Sequence, residues 1–269
     1  MFINSRSIAK ICDKYPTEII SDTTEINSSD YEDIKEGNIV YVITSALSNF
    51  LKLGISVPII LVTGASVLGP YAVLGNSVYK LPIIRWYAQN CDFNNPRVYP
   101  IPLGLDFHSK PETQELLNTM IVPSPYTRNP RVYANFQFKL FKEHNRDRYI
   151  AIEELRKHPW IDWENKRTDQ VTCWKRMGSY SFVLCPFGKG MDTHRIWEAL
   201  VLGCIPIVRS GILSSLYSNL PVIQIDSWKS LNYNYLIKKR QWILSNLDKF
   251  QWNKLHMDYW EKIIKYNHI

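Results

Sequence analysis

The chain has 269 residues, which makes one large domain or two of ordinary size, and 45% of them are apolar, enough for a sizeable buried core. A formal net charge of +7 is basic without the density of a dedicated nucleic-acid binder, and it fits an enzyme whose ligand is a diphosphate. Five scattered cysteines with no CxxC pair argue against a disulfide framework or a structural zinc site, and no apolar run approaches the roughly 18 residues of a membrane span.

In chain order, residues 1–37 read as a polar, acid-rich start with one or two weak strands. The opening MFINSRSIAKICDKYP is mixed and polar, unlike a signal peptide, so the expected setting is cytoplasmic. Residues 38–44 (NIVYVIT), 58–62 (PIILV) and 98–101 (VYPI) read as buried strands. Residues 109–130, rich in Pro, Thr, Ser and Asn, read as a linker that includes one short helix, TQELLNTM. A second alternating series follows: a strand at 131–138, a helix at 145–157, a strand at 181–185 (SFVLC), a helix at 193–202, and strands at 205–208 (IPIV) and 222–225 (VIQI). Helices at about 228–246 and 251–266 finish the chain. Two βα series imply an α/β protein of two facing Rossmann-like domains, 1–128 and 129–269, with a cleft between them. Ligands of such sheets sit outside the carboxyl ends of the strands, so the loops after PIILV and SFVLC are the places of interest.

The stretch 181–210, SFVLCPFGKGMDTHRIWEALVLGCIPIVRS, carries the clearest chemistry. A strand ends at Pro186, and Gly188 and Gly190 let backbone approach a ligand. Asp192 or Thr193 caps the next helix, and Gly203 suits its end. The first turn of that helix offers free N–H groups to a phosphate, and Arg195 adds a bidentate charge there. Glu198, one turn on, suits two ribose hydroxyls. The plain alternative is a βαβ unit with a polar loop, in which Arg195 and Glu198 are an i,i+3 pair on a solvated face. GASVLG (64–69) has the glycine spacing of a P-loop but lacks its Lys-Ser/Thr pair, and reads as a tight turn.

This stretch resembles the carboxyl-terminal signature of the exostosin-like glycosyltransferases of family 47: a strand, a C-P-x-G loop, an Arg, a Glu and a G-C-x-P turn. VYANFQF followed by Arg148 is similar to that family's entry to the donor domain. RWYAQNCDFNNPRVYPIPLGLDFHS is similar to an amino-terminal block of small members from algal viruses. The resemblance implies a GT-B fold and inverting transfer from a UDP-sugar held by the carboxyl-terminal domain, xylose being the expected sugar. It implies as acceptor an oligosaccharide or glycoprotein glycan such as one containing fucose. It also implies that Arg148 and Arg195 neutralise the diphosphate, that Glu198 holds the ribose, and that Cys185, Pro186, Phe187, Gly188, Gly190, Asp192, Thr193 and His194 wrap the donor. Arg209 is a further anion contact or a surface residue at a strand end.

Inversion needs a group that takes the acceptor hydroxyl's proton and cations that stabilise the leaving UDP. No Asp-x-Asp metal pair occurs, so the expectation is transfer without a metal or other cofactor. The base is expected from the amino-terminal domain: Asp106 first, with His108 and Asp92 as alternatives. Trp86, Gln89 and Asn90 are expected on the acceptor side. The loop after PIILVTG reads Ala65, Ser66, Val67 and Leu68 where many relatives carry acids, which leaves the acceptor and base open. The rival readings are a sugar- or nucleotide-binding protein without turnover, and a nucleic-acid module using the basic KSLNYNYLIKKR segment. The second is disfavoured because the basic residues do not concentrate in one stripe.

Overall fold

The computed structural model describes residues 1–136, 146–166 and 168–266. The chain divides into two compact units, Met1–Leu105 with Asn253–Ile269, and Asp106–Trp252.

Unit 1 contains α1 (Ser5–Ala9), β1 (Ile39–Ile43), α2 (Leu47–Leu51), β2 (Ile59–Gly64), α3 (Pro70–Leu74), β3 (Ile83–Ala88) and β4 (Val98–Pro100). The strands form one parallel sheet in the order β1-β2-β3-β4, with Tyr41 opposite Val62 and Val62 opposite Tyr87. Every residue of β1 and β2 is buried, as expected of parallel strands covered on both faces. Residues 1–37 carry no named strand. They form α1 and a 3₁₀ turn at Ser28–Tyr31, and touch the rest of unit 1 through isolated bridges such as Lys14 to Val40.

Unit 2 contains α4 (Glu112–Thr119), β5 (Asn129–Ala134), α5 (Arg146–Leu155), β6 (Ile161–Trp163), α6 (Gln170–Gly178), β7 (Tyr180–Leu184), α7 (His194–Val201), β8 (Ile205–Arg209), β9 (Ile223–Ile225) and α8 (Tyr233–Leu244). Its parallel sheet runs β6-β5-β7-β8-β9. Strand order reverses between β5 and β7, and a crevice at such a reversal is where open α/β sheets take ligands. The core packs Phe182, Leu184, Ile205 and Ile207 of the central strands against Trp228, Leu231 and Leu236.

The final helix, α9 (Met257–Tyr266), belongs to unit 1. Tyr87 donates its hydroxyl to the Ile263 carbonyl at 3.0 Å, Ile3 N–H bonds the Leu255 carbonyl at 2.9 Å, and Phe2 stacks on His256. The expected boundary at 128/129 therefore differs from the division of the fold. Leu105 N–H bonds the Ile3 carbonyl at 2.8 Å and holds the chain to unit 1, whereas Asp106 already bonds within unit 2. The expected linker accordingly lies inside unit 2, with α4 at its predicted place. Residues 137, 138 and 145 of the expected strand and helix lie outside the described residues.

Candidate functional site

The loop after β7 is shaped from below by one carboxylate. Asp147, in the first turn of α5 and 9% exposed, accepts the Phe187 N–H at 2.9 Å and the Trp228 indole N–H at 2.8 Å. It also pairs with Arg209 at 3.3 Å. Arg209 is thus engaged in holding the loop. Gly188 then bonds the Gly190 carbonyl at 2.9 Å, which closes the turn.

Asp192 is 2% exposed and closes the other end. It accepts from the Trp197 indole at 2.9 Å, the Tyr217 hydroxyl at 3.1 Å and the Thr193 N–H at 3.0 Å. Thr193 is the N-cap of α7, yet its hydroxyl makes no capping bond, and Oγ1 is buried without a partner. Cys185 and Pro186 are buried beneath the loop, and burial pushes the Cys185 thiol well up. Helix α7 ends at Gly203, whose φ of +70° permits the closing pair of bonds from Gly203 N to Leu200 O (2.9 Å) and Cys204 N to Ala199 O (2.8 Å).

Two arginines meet at this loop. Arg195, in the first turn of α7, bonds Glu198 Oε2 at 3.2 Å and the Cys173 thiol at 3.0 Å. Glu198 is 6% exposed, and its other oxygen accepts from Gln170 at 2.9 Å. Gln170 in turn accepts from Lys110 at 2.6 Å, and Asn135, just beyond β5, donates to Cys173 at 3.2 Å. Burial acts to lower the Arg195 pKa, but Glu198 and Cys173 outweigh it and hold the guanidinium above its ordinary value.

Arg148 is placed differently. Among the described residues it forms no ion pair, its Nε is buried without an acceptor, and its guanidinium lies over the Phe136 ring at 5.9 Å. Burial, then the neighbouring Arg195 charge, push its pKa below the ordinary arginine value, with Asp147 opposing. A Cβ on Gly188 would lie 2.8 Å from Arg148 Nη2, so only glycine leaves that guanidinium its position against the loop.

Asp106 and His108 form a dyad in this same unit. His108 Nδ1 lies 2.9 Å from Asp106 Oδ1, which also accepts the Ser109 N–H at 3.1 Å. Burial acts to raise the Asp106 carboxyl, but His194, Ser109 and His108 together hold it below the usual carboxylate range. His194, the first residue of α7, is near enough for its charge to act on Asp106. The expectation that these two residues belong to the amino-terminal domain is therefore corrected, because the chain from Asp106 to Trp252 belongs to unit 2.

Asp92, Trp86, Gln89 and Asn90 lie in unit 1. Asp92 caps α3, its two oxygens accepting from Tyr71 and Ala72 N–H at 2.8 Å each. Trp86 is fully buried and donates to Thr63 at 2.9 Å. Gln89, also fully buried, bonds Ala65 N and Pro102 O, and Asn90 bonds Ser66 O. These side chains support the loops beyond β2 and β3. Unit 1 has its own open groove of about 560 Å³ at the carboxyl end of β1, lined by Thr17, Glu18, Ile20, Glu25, Asn27 and Asp30 among others.

Sequence reasoning missed Asp147, Gln170, Cys173, Asn135 and Lys110. Asp147 stands beside Arg148 in RDR, which was the available signal. Gln170 and Cys173 lie on α6, whose Cys173, Trp174 and Met177 at helical spacing were the available signal. Among the described residues, no group of three or more His, Cys, Asp and Glu side chains is arranged to hold a metal ion, and no helix is long and apolar enough to cross a membrane.

No family model matches the chain, and no curated protein matches it. Among solved structures it is similar to the crystal structure of an α1,3-fucosyltransferase, at 11% identity and a TM-score of 0.40. The likeness covers 78% of this chain and 66% of that one, so the chain spans slightly less than two thirds of that protein's length.

Proposed function

We propose that the protein is a glycosyltransferase whose second unit binds a nucleoside diphosphate sugar. The observation that carries this reading is the pair of neighbouring arginines, Arg148 and Arg195, of which Arg148 forms no ion pair among the described residues. Two like charges held together beside the first turn of α7 are costly in the free protein and are compensated by a bound diphosphate. The alternation of sheet order between β5 and β7 supports the same position.

In the proposed transfer, the acceptor hydroxyl oxygen attacks the anomeric carbon from the face opposite the phosphate. The new C–O bond forms as the bond to the β-phosphate oxygen breaks, and that oxygen keeps the electron pair. Arg148, Arg195 and the free N–H groups of α7 stabilise the charge that develops there. The Asp106–His108 dyad takes the hydroxyl proton, with Asp106 fixing the imidazole tautomer and His108 acting as base. Glu198, already anchored by Gln170 and Arg195, presents its remaining lone pairs to the ribose hydroxyls. On the resemblance to exostosin-like enzymes, the donor is UDP-xylose, the transfer inverts, and the acceptor is a glycan hydroxyl such as one on fucose.

Calorimetric titration with UDP and a panel of UDP-sugars, in EDTA and in Mn²⁺, tests the reading. Binding in EDTA that disappears in Arg195→Ala, together with transfer from UDP-xylose to a fucosylated oligosaccharide, is the expected result. Binding without transfer or donor hydrolysis marks a non-catalytic sugar-nucleotide protein. No binding of any UDP compound removes the proposal.

A further inference from the structure

The edge of unit 2 opposite the Arg148–Arg195 site carries a second surface with a different chemistry. The loop 120–127 and helix α8 are bound into one face. Arg240 of α8 donates to the Pro125 and Tyr126 carbonyls at 3.0 Å each, and the Tyr126 hydroxyl donates to the Leu244 carbonyl at 3.1 Å. Arg240 also bonds Ser181, at the start of β7, so the face lies at the amino ends of the strands.

Large apolar side chains stand out of this face. Ile121 is 95% exposed, Tyr126 62% and Trp242 56%. Trp242 is held in place by an edge-on contact with Phe250 at 6.0 Å, and among the described residues its indole N–H has no protein acceptor. Lys238, one helical turn before Trp242, and Lys239 are both exposed. Between Asp226 and Asp248 the chain holds Lys229, Lys238, Lys239 and Arg240 and no carboxylate, while Arg128 is buried and Arg131 is paired with Asp162.

We propose that this face docks peripherally on an anionic lipid surface. The exposed Trp242 ring suits the headgroup level, where an indole's ring is apolar and its N–H end is wet, and the Tyr126 ring adds apolar surface beside it. Lys238 and Lys239 beside Trp242 attract an anionic leaflet. One exposed indole and one exposed isoleucine give shallow insertion, so binding depends on charge and apolar contact together. Docking by this edge leaves the loop after β7, at the opposite edge of the same sheet, open to a water-soluble nucleotide sugar. The inference does not depend on the sugar-nucleotide reading.

The test is cosedimentation of the full chain with vesicles of phosphatidylcholine alone or with about one third phosphatidylserine, at about 0.1 M and 0.5 M salt. Binding is expected to the anionic vesicles at low salt and to weaken at high salt. Lys238→Glu with Lys239→Glu should weaken it by at least about tenfold, since each lysine near such a surface contributes about one power of ten or a little less. Trp242→Ser should weaken it as well, while both variants keep the wild-type melting temperature. Failure of the wild type to sediment with anionic vesicles overturns the proposal. So does binding that neither variant reduces, and so does retention only by an immobilised acidic protein.

Discussion

Arg148 and Arg195 come from different helices, yet they approach closely enough that the charge on Arg195 lowers the pKa of Arg148, while among the described residues Arg195 alone of the two forms an ion pair. The pair separates two roles that one mutation usually confounds. Arg148→Gln should leave the melting temperature of the free protein unchanged or slightly raised, because it relieves a like-charge contact. The same change should weaken UDP binding by about tenfold or more, since a hydrogen bond to a charged group is worth about 1.5–3 kcal/mol. Calorimetry and thermal melting on the same sample check both halves.

Gly188→Ala should behave similarly by a different route. The added methyl meets the far end of the flexible Arg148 side chain and no backbone, so the fold should lose less than about 1 kcal/mol. The guanidinium must move away from the loop, and UDP affinity should fall with it. A variant that binds UDP as well as wild type would detach Arg148 from the anion site.

Asp147→Ala should be the most damaging change near the site. It strands a partly buried Arg209 and the indole N–H of a fully buried Trp228, and frees the Phe187 N–H. Removing one member of a buried, hydrogen-bonded pair costs about 3–5 kcal/mol. Urea unfolding should show this loss even in the absence of ligand.

Asp92→Ala offers the contrast. Losing a capping carboxylate costs about 0.5–2 kcal/mol, read as a lower melting temperature. Turnover per folded molecule should be unchanged, whereas Asp106→Asn, by disturbing the His108 tautomer, should reduce it by about a hundredfold or more. Equal losses in the two variants would move the base away from the dyad.

The Asp106 carboxyl titrates below its unfolded value, so its contribution to stability has a definite pH window. The stabilisation is fully present above the unfolded pKa of about 3.9 and is lost as pH falls through the lower folded value. Wild type should therefore exceed Asp106→Asn in unfolding free energy at about pH 6, and the two should converge as the pH falls below about 3. A difference that grew on acidification would contradict the assigned direction.

Strands β1, β2, β7 and β8 were legible because strands buried on both faces read as unbroken apolar runs. Strand β3 was not, because Ile84 is exposed and Arg85 half-exposed in the middle of it. Helix α6 (QVTCWKRMG) was missed for its β-branched and aromatic content, and it depends on Asp169 accepting the Thr172 N–H at its start. At the site, Arg148, Arg195 and Glu198 were readable from loop-and-helix spacing. Gln170 and Cys173 were not, since their part rests on α6 packing beside α7. Trp86, Gln89 and Asn90 show the converse error. Polar and aromatic residues at a strand end look like a ligand-facing rim, but here Gln89 and Asn90 bond loop backbone and Trp86 bonds the Thr63 hydroxyl.

The return of α9 to unit 1 also shapes how the chain must mature. Unit 2 is contiguous and can reach its native contacts as soon as it leaves the ribosome. Unit 1 is not: its first hundred residues wait, with the Tyr87 hydroxyl and the Ile3 N–H lacking their native acceptors, through the synthesis of all of residues 106–252. At about 5–20 residues per second that interval lasts from several seconds to half a minute. During it the amino-terminal sheet has all four strands but stands without α9, open to chaperones and proteases.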